Sequence, residues 1–241
     1  MMATRRISTR AGRAVGHDEI AAVLGAEILS GARPPGTRVL TEEELLARFG
    51  ASRVLMREVS KTLAAKGMVV AKSRVGTLVL PPEYWNWFDA DVLAWRLRLG
   101  LDQEFFKQLA QMRRAVEPAA AALAAEQRTQ EHLDAMRQAL SAMSRAGGDR
   151  HAFAEADLDF HLAVASASGN PLFRSLASVI ETALGAYLTL STAMQSETRA
   201  ASVQRHALIA DAIERRDGDA AIRCMLSVID ESLDRIIAGR D

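Results

Sequence analysis

A single cysteine, Cys224, excludes any disulfide within the chain, and a reducing cytoplasm is the compartment expected for such a sequence. No stretch approaches the roughly 18 consecutive apolar residues that a membrane-spanning helix needs, so no membrane partner is expected. The first fifteen residues are rich in arginine and free of acidic residues, but they lack the apolar centre of a secretory signal. In composition they imitate a transit peptide; a flexible basic arm over residues 1–15 is the expectation. Net charge is absent too, because 30 Lys and Arg balance 30 Asp and Glu. The balance conceals a split. Residues 1–80 hold 13 Lys and Arg against 7 Asp and Glu, a balance of +6, and residues 81–241 hold the remaining 17 and 23, a balance of −6. A basic first part joined to an acidic remainder points to a polyanion as partner of the first part alone. At 241 residues, 49% hydrophobic and 25% charged, the chain is long enough for two folded cores.

The stretch Thr41 to Gly67 reads as two short helices joined by a tight turn. Thr41 with Glu44 makes a capping box, and Leu40 with Leu45 the hydrophobic staple around it. The first helix runs to Phe49. Gly50-Ala51-Ser52 forms the turn, with Ser52 placed to cap the second helix. In that helix Leu55, Val59 and Leu63 recur every four residues as an apolar stripe, while Arg53, Arg57 and Lys61 recur with the same spacing on another face. Such a helix fits a DNA major groove; it also fits an ordinary amphipathic helix with a solvated basic face. The flanking residues decide between them. His17 to Ser30 places Ile20, Val23, Leu24 and Ile28 on one helical face, and Arg33-Pro34-Pro35-Gly36 must turn. Met68 to Ala71 and Thr77 to Leu80 are rich in β-formers, joined by a Lys72 to Gly76 tip that carries Arg74. Three helices and a hairpin with a basic tip make a winged helix-turn-helix over residues 16–82, with the tip placed for phosphates or the minor groove.

Residues 83–100 form an aromatic connector containing Trp85, Trp87, Phe88 and Trp95, too apolar for a free linker. These aromatics are expected to pack the domains together. From residue 101 to 241 the pattern is helical. It reads as one long helix bent at Pro118, then Thr129 to Ala146, Asp149 to Ser168, Leu172 to about Thr192, Ala200 to Arg215 and Ala220 to Ile237. The fold class is mainly α, an N-terminal winged helix-turn-helix followed by an antiparallel six- to seven-helix bundle, with pockets expected between facing helices. His17, His132 and His151 read as surface residues. Asp157 and His161, at i and i+4, leave one inward helix face, and His206 begins an inward stripe with Ile209, Ile213 and Ile222. A carboxylate and two imidazoles suit Zn²⁺, Ni²⁺ or another divalent ion; the bare i,i+4 pair equally suits a helix-surface salt bridge.

The segment GTRVLTEEELLARFGASRVLMREVSKTLAAKGMVVAKSRVGTLV resembles the N-terminal domain of GntR-type bacterial transcription regulators. The resemblance implies operator contacts from Ser52, Arg53 and Arg57, with Lys61 on the same face and a wing contact through Gly76 beside Arg74. Leu40 stands where that family usually has proline, and Glu43 where several members have a DNA-contacting arginine, which puts the operator sequence in doubt. EADLDFHLAVASASGNPLF and QRHALIADAIERRDGDAA resemble the FCD ligand-binding domain of the FadR subgroup. That likeness implies Asp157, His161 and His206 as three of four metal ligands, with Val228 at the place of the fourth. The alternative is that these three bind effector hydroxyls directly. It also implies a pocket-facing Arg113 for an effector carboxylate; Arg235, two turns after Val228, is a second candidate. YWNWFDADVLAW and the VEP-like spacing are similar to regulators that respond to galactonate and similar aldonates. The resulting expectation is a dimeric repressor, released from double-stranded operator DNA by a small sugar acid. Two further readings remain beside it: a metal-responsive regulator, and a metal-dependent hydrolase, for which no second acidic cluster supplies a general base.

Overall fold

The structure, a computed structural model, describes residues 16–39, 41–100, 103–190 and 196–238. The basic arm and Leu40 lie outside the described residues, as does the Leu45 side chain. The chain divides into two compact units, with the division in sequence between Trp95 and Arg96.

The first unit contains helices α1 (His17–Leu29), α2 (Glu42–Phe49) and α3 (Arg53–Ala65), strands β1 (Val69–Lys72) and β2 (Gly76–Val79), and most of helix α4 (Ala90–Arg98). Local chemistry sets the joints. Thr41 Oγ1 accepts from the Glu44 amide at 3.2 Å and Glu44 Oε2 accepts from the Thr41 amide at 2.7 Å, so both halves of the capping box form. Gly50 ends α2 in the left-handed region at φ 63°, where a side chain is disfavoured. Ser52 Oγ then accepts from the Leu55 amide at 3.2 Å and starts α3. The buried stripe of α3 is Met56, Val59 and Leu63, while Leu55 is only half-buried. A row spaced strictly by four drifts around a helix of 3.6 residues per turn, so Met56 replaces Leu55 one turn down. β1 and β2 pair antiparallel with Val69 opposite Val79 and Lys72 opposite Gly76.

Two of the connector's aromatics, Trp85 and Trp95, pack into this same core, while Trp87 and Phe88 are exposed. Trp85, Val92 and Trp95 are buried with Ile20, Leu24, Val59 and Leu63. Two glycines permit the approach. A Cβ on Gly25 would stand 2.1 Å from the Trp95 ring, and one on Gly67 would stand 2.1 Å from the Tyr84 carbonyl oxygen. Lys66 Nζ donates to Asp89 Oδ1 at 2.6 Å and Asp91 Oδ2 at 2.7 Å, and lies 5.5 Å from the Trp95 ring centroid. The compact unit thus runs past residue 82 and takes in the connector through Trp95.

The second unit is helical throughout its described residues: α5 (Gln103–Gln127), α6 (Gln130–Arg145), α7 (Arg150–Ala167), α8 (Pro171–Arg174), α9 (Ala177–Leu190), α10 (Ser196–Glu214) and α11 (Gly218–Ala238). α5 packs against α11, α7 and α9; α6 packs on α7 and α10; α10 packs on α11. Thr129 and Asp149, read as the starts of these helices, cap α6 and α7. The single helix expected from Leu172 to about Thr192 is instead divided, because α8 stops at Arg174 and α9 starts at Ala177. Tight i→i+3 bonds, such as Leu176 amide to Phe173 carbonyl at 3.2 Å, close the break. Phe160, Met136, Ile209, Ile213, Met225 and Ile229 form the centre of the core. Ile222 is only half-buried, and Ala221 and Met225 take the inward places on α11. Among the described residues no helix is long and apolar enough to cross a membrane.

Candidate functional site

Two constellations carry chemistry, one exposed and one buried. The exposed one is a groove of about 480 Å³ between α3 and the hairpin, lined by Arg38, Arg53, Arg57, Lys61, Val75 and Gly76 among others. All four cations are exposed. Lys61 Nζ donates to Glu58 Oε1 at 2.8 Å, so one member of the row already has a partner on its own helix. Arg74 sits at the hairpin turn with φ 61°, and Gly76 follows at φ 104°. Ser52 lies at the start of α3, where its hydroxyl is used as the cap, and it shares a smaller depression with Glu43 and Arg53. Val54, in the first turn of α3, is 72% exposed.

The buried constellation joins α5, α7 and α10. Arg113 and Glu117, one turn apart on α5, form an ion pair with Nε to Oε1 at 2.5 Å and Nη2 to Oε2 at 3.3 Å. Glu117 Oε2 stands 2.6 Å from His161 Nδ1, and Arg113 Nη2 stands 3.2 Å from His161 Nε2. Asp157 Oδ1 lies 3.3 Å from His161 Nε2 and 2.9 Å from His206 Nε2. His206 Nδ1 contacts the Ser202 carbonyl at 2.8 Å. A carbonyl only accepts, so Nδ1 carries the proton there and Nε2 is the ring nitrogen that faces Asp157. A guanidinium only donates, so Arg113 Nη2 bonds His161 Nε2 only when that nitrogen carries no proton; a protonated ring donates toward Glu117 and Asp157 instead.

The electrostatics follow from burial and pairing. Burial pushes the Glu117 carboxyl up, but Arg113 and His161 outweigh it and hold the group down at about 2. Burial also pushes Asp157 up, and His206 and His161 overcome that to hold it well below the usual carboxylate range. For His161, burial and Arg113 push down while Glu117 and Asp157 pull up, leaving the ring raised to about 9. Burial pushes Arg113 down, and Glu117 more than offsets it.

These contacts are close, yet Asp157 Oδ1, His161 Nδ1 and His206 Nε2 are buried polar atoms without hydrogen-bond alignment to any partner. Such atoms are costly unless a further group satisfies them. Asp157, His161 and His206 offer ligand atoms within 4.8 Å of one another. Donors held at roughly 2.1 Å from one ion in neighbouring positions stand about 3.0–3.4 Å apart, close to the 2.9 and 3.3 Å seen here. The donor set therefore fits a divalent metal. Val228, at the place of a fourth ligand, is buried in the apolar core of α11 and offers no donor atom.

The comparison with known proteins now bears on both constellations. Residues 17–79 match the family of bacterial regulatory proteins named for gntR, and residues 108–231 match the FCD domain. The chain is 35% identical over 219 residues to the galactonate operon transcriptional repressor of Escherichia coli K12, covering 91% of this chain and 96% of that one. The chain belongs to the GntR family. It is also 30% identical over 199 residues to the E. coli K12 transcriptional repressor NanR, covering 80% of this chain and 73% of that protein. Two solved structures share the fold. Lar, described as controlling expression of the Listeria monocytogenes agr system, matches with a TM-score of 0.65 and 20% identity over 97% of this chain and 99% of its own. E. coli McbR/YncC matches with 0.56 and 18% over 94% and 100%.

A GntR regulator is a transcription regulator and not an enzyme, so the hydrolase reading falls. Of the residues expected in its ligand site, Arg113, Asp157, His161 and His206 come together. The Arg235 side chain lies outside the described residues. Of those expected at the DNA face, Arg53, Arg57, Lys61 and Gly76 line one groove, while Ser52 and Arg74 flank it. Three residues escaped the sequence reading. Glu117 was legible in principle, since it follows Arg113 by one helical turn. Val54 was legible as an apolar residue off the buried stripe. Arg38 lies before the capping box, outside any periodic pattern.

Proposed function

We propose that the chain is a ligand-responsive repressor of a sugar-acid catabolic operon, binding double-stranded operator DNA as a cytoplasmic homodimer. The observation that carries the effector half is the convergence of Asp157 Oδ1, His161 Nε2 and His206 Nε2 beside the Arg113 guanidinium. A guanidinium recognises a carboxylate in bidentate fashion, and a cluster of imidazole and carboxylate donors recognises hydroxyls. A hydroxylated carboxylate supplies both, and a relative that is 35% identical is the repressor of a galactonate operon. Arg113 is engaged by Glu117, so an effector carboxylate shares or replaces that partner. Arg235 is a second candidate for the anion.

Zn²⁺ or Ni²⁺ would be held by Asp157, His161 and His206, with Glu117 and the Ser202 carbonyl orienting the two rings. When bound it would supply a positive charge to which effector oxygens can attach. With three protein ligands, coordination positions on the ion would remain for such oxygens.

On the DNA side α3 enters the major groove, with Arg53 and Arg57 toward bases and phosphates, Lys61 further along, and the exposed Val54 suited to a thymine methyl. Ser52 starts that helix, and the Arg74–Gly76 tip reaches the backbone. Two such heads in a dimer read a palindrome. The effector shifts the population between a DNA-competent and a released arrangement, and the connector held on the head by Trp85 and Trp95 is the route of that coupling.

Calorimetric titration with aldonates and other hydroxy acids, with and without Zn²⁺ or Ni²⁺, tests the effector half. Saturable binding that Arg113→Ala removes supports it; no heat with any hydroxy acid in either metal condition contradicts it.

A further inference from the structure

The segment before the capping box runs antiparallel beside β2 and joins it through an isolated bridge. Gly36 and Val39 amides donate to the Val79 and Thr77 carbonyls at 2.8 and 2.9 Å, the Val79 amide donates to the Thr37 carbonyl at 2.9 Å, and Arg38 bridges antiparallel to Leu78. Side chains alternate across a strand. Val39 is 4% exposed and points into the core, so Arg38 points away from it, and Arg38 is exposed. Its side chain runs beside Gly76. A Cβ on that glycine would stand 3.3 Å from Arg38 Nε, 3.5 Å from Cδ and 3.7 Å from Cγ. Arg38 lines the same groove as Arg53, Arg57 and Lys61, on the wing side and not on α3.

We propose that Arg38 is a phosphate-contacting residue of the DNA interface. With α3 seated in a major groove, the walls of that groove are sugar-phosphate backbone, and a cation carried on the flanking wing meets phosphate oxygens. A guanidinium on a paired segment is well suited to this task. Its backbone is held by the sheet, and its planar fork matches two phosphate oxygens. Arg74, by contrast, is carried on the turn between the strands. This inference rests on the reading of α3 as the DNA-binding helix.

The test measures binding of the full chain to a fluorescently labelled mixed-sequence 30-base-pair duplex across a range of KCl concentrations, with far-UV circular dichroism to confirm folding. Arg38→Gln is expected to weaken binding and to reduce the steepness of log K against log salt by about 0.9 for each phosphate no longer neutralised, whereas Arg38→Lys keeps the slope. Arg53→Ala serves as the reference for α3. Unchanged affinity and slope in Arg38→Gln, while Arg53→Ala binds more weakly, overturns the role of Arg38. If wild type and Arg53→Ala bind equally or neither binds, the reading of α3 fails, and the inference with it.

Discussion

The α3 groove and the α5–α7–α10 cluster are both built from charge, yet they dispose of it in opposite ways. In the groove Arg38, Arg53 and Arg57 stand exposed, and Lys61 engages a neighbour on its own helix through Glu58. Their charge is directed outward, where a polyanion releases counterions on binding. In the cluster Arg113, Glu117, Asp157, His161 and His206 are nearly or fully buried and face one another. There desolvation is severe, so each charge depends on its neighbours, and a small ligand entering among them alters several interactions at once. One region is suited to affinity for a large uniform partner, the other to discrimination of a small polar one.

Removing a charge should therefore cost folding stability in the cluster and DNA affinity in the groove. The largest effect is expected from Asp157→Ala, which leaves buried cationic groups uncompensated and destabilises the second unit by about 3–5 kcal/mol. The two units can be followed separately, because Trp85, Trp87 and Trp95 are the only tryptophans and all lie in the first unit. In urea, the far-UV circular dichroism transition of Asp157→Ala should move to lower denaturant while tryptophan fluorescence holds its midpoint. Arg53→Ala reverses the pattern, with unchanged stability and about 1–3 kcal/mol less DNA binding, measured by anisotropy.

Gly25→Ala sharpens the contrast from within the first unit. Its added methyl meets the Trp95 ring, and overpacking of this kind costs about 1–3 kcal/mol. The fluorescence transition should fall while the dichroism of the bundle stays in place. Ser52→Ala removes the α3 cap for about 1 kcal/mol, read in the same fluorescence transition. The smallest effect concerns Glu27. Burial raises its carboxyl, but hydrogen bonds from Arg48 and Arg33 outweigh that and hold it below its ordinary value of 4.5. Its contribution is present above about that pH and is lost as pH falls through the depressed folded value. Glu27→Gln should therefore flatten the acid end of the first unit's stability curve, which urea midpoints between about pH 6 and pH 3 would record.

What the sequence disclosed divides along the same line as the physics. Caps at Thr41 and Ser52 were legible because each bonds within three residues of itself, and the helix starts at Thr129 and Asp149 were placed where caps form. The Asp157–His161 pair was legible for the same reason, being one helical turn long. The arrival of His206 from a separate helix is a tertiary event; its inward stripe with Ile209 and Ile213 hinted at it, and the family resemblance pointed to it more sharply. The break between α8 and α9 left no mark, because the apolar pattern from Leu172 onward carries through it. The connector's aromatics signalled burial but not their partners, since Gly25 and Gly67 reveal their purpose only once Trp95 and Tyr84 lie against them. Arg38 was hidden because an isolated bridge has too few positions to display alternation.

The central claim is that occupancy of the buried cluster controls the exposed groove. Its most direct test is anisotropy of a duplex from the chain's own target promoter, titrated with protein in the presence and absence of galactonate and related aldonates, for wild type and Arg113→Ala. The account predicts that an aldonate weakens wild-type binding at least tenfold and leaves the Arg113→Ala complex unchanged. Equal DNA affinity with and without every aldonate, or equal release of both proteins, would contradict it.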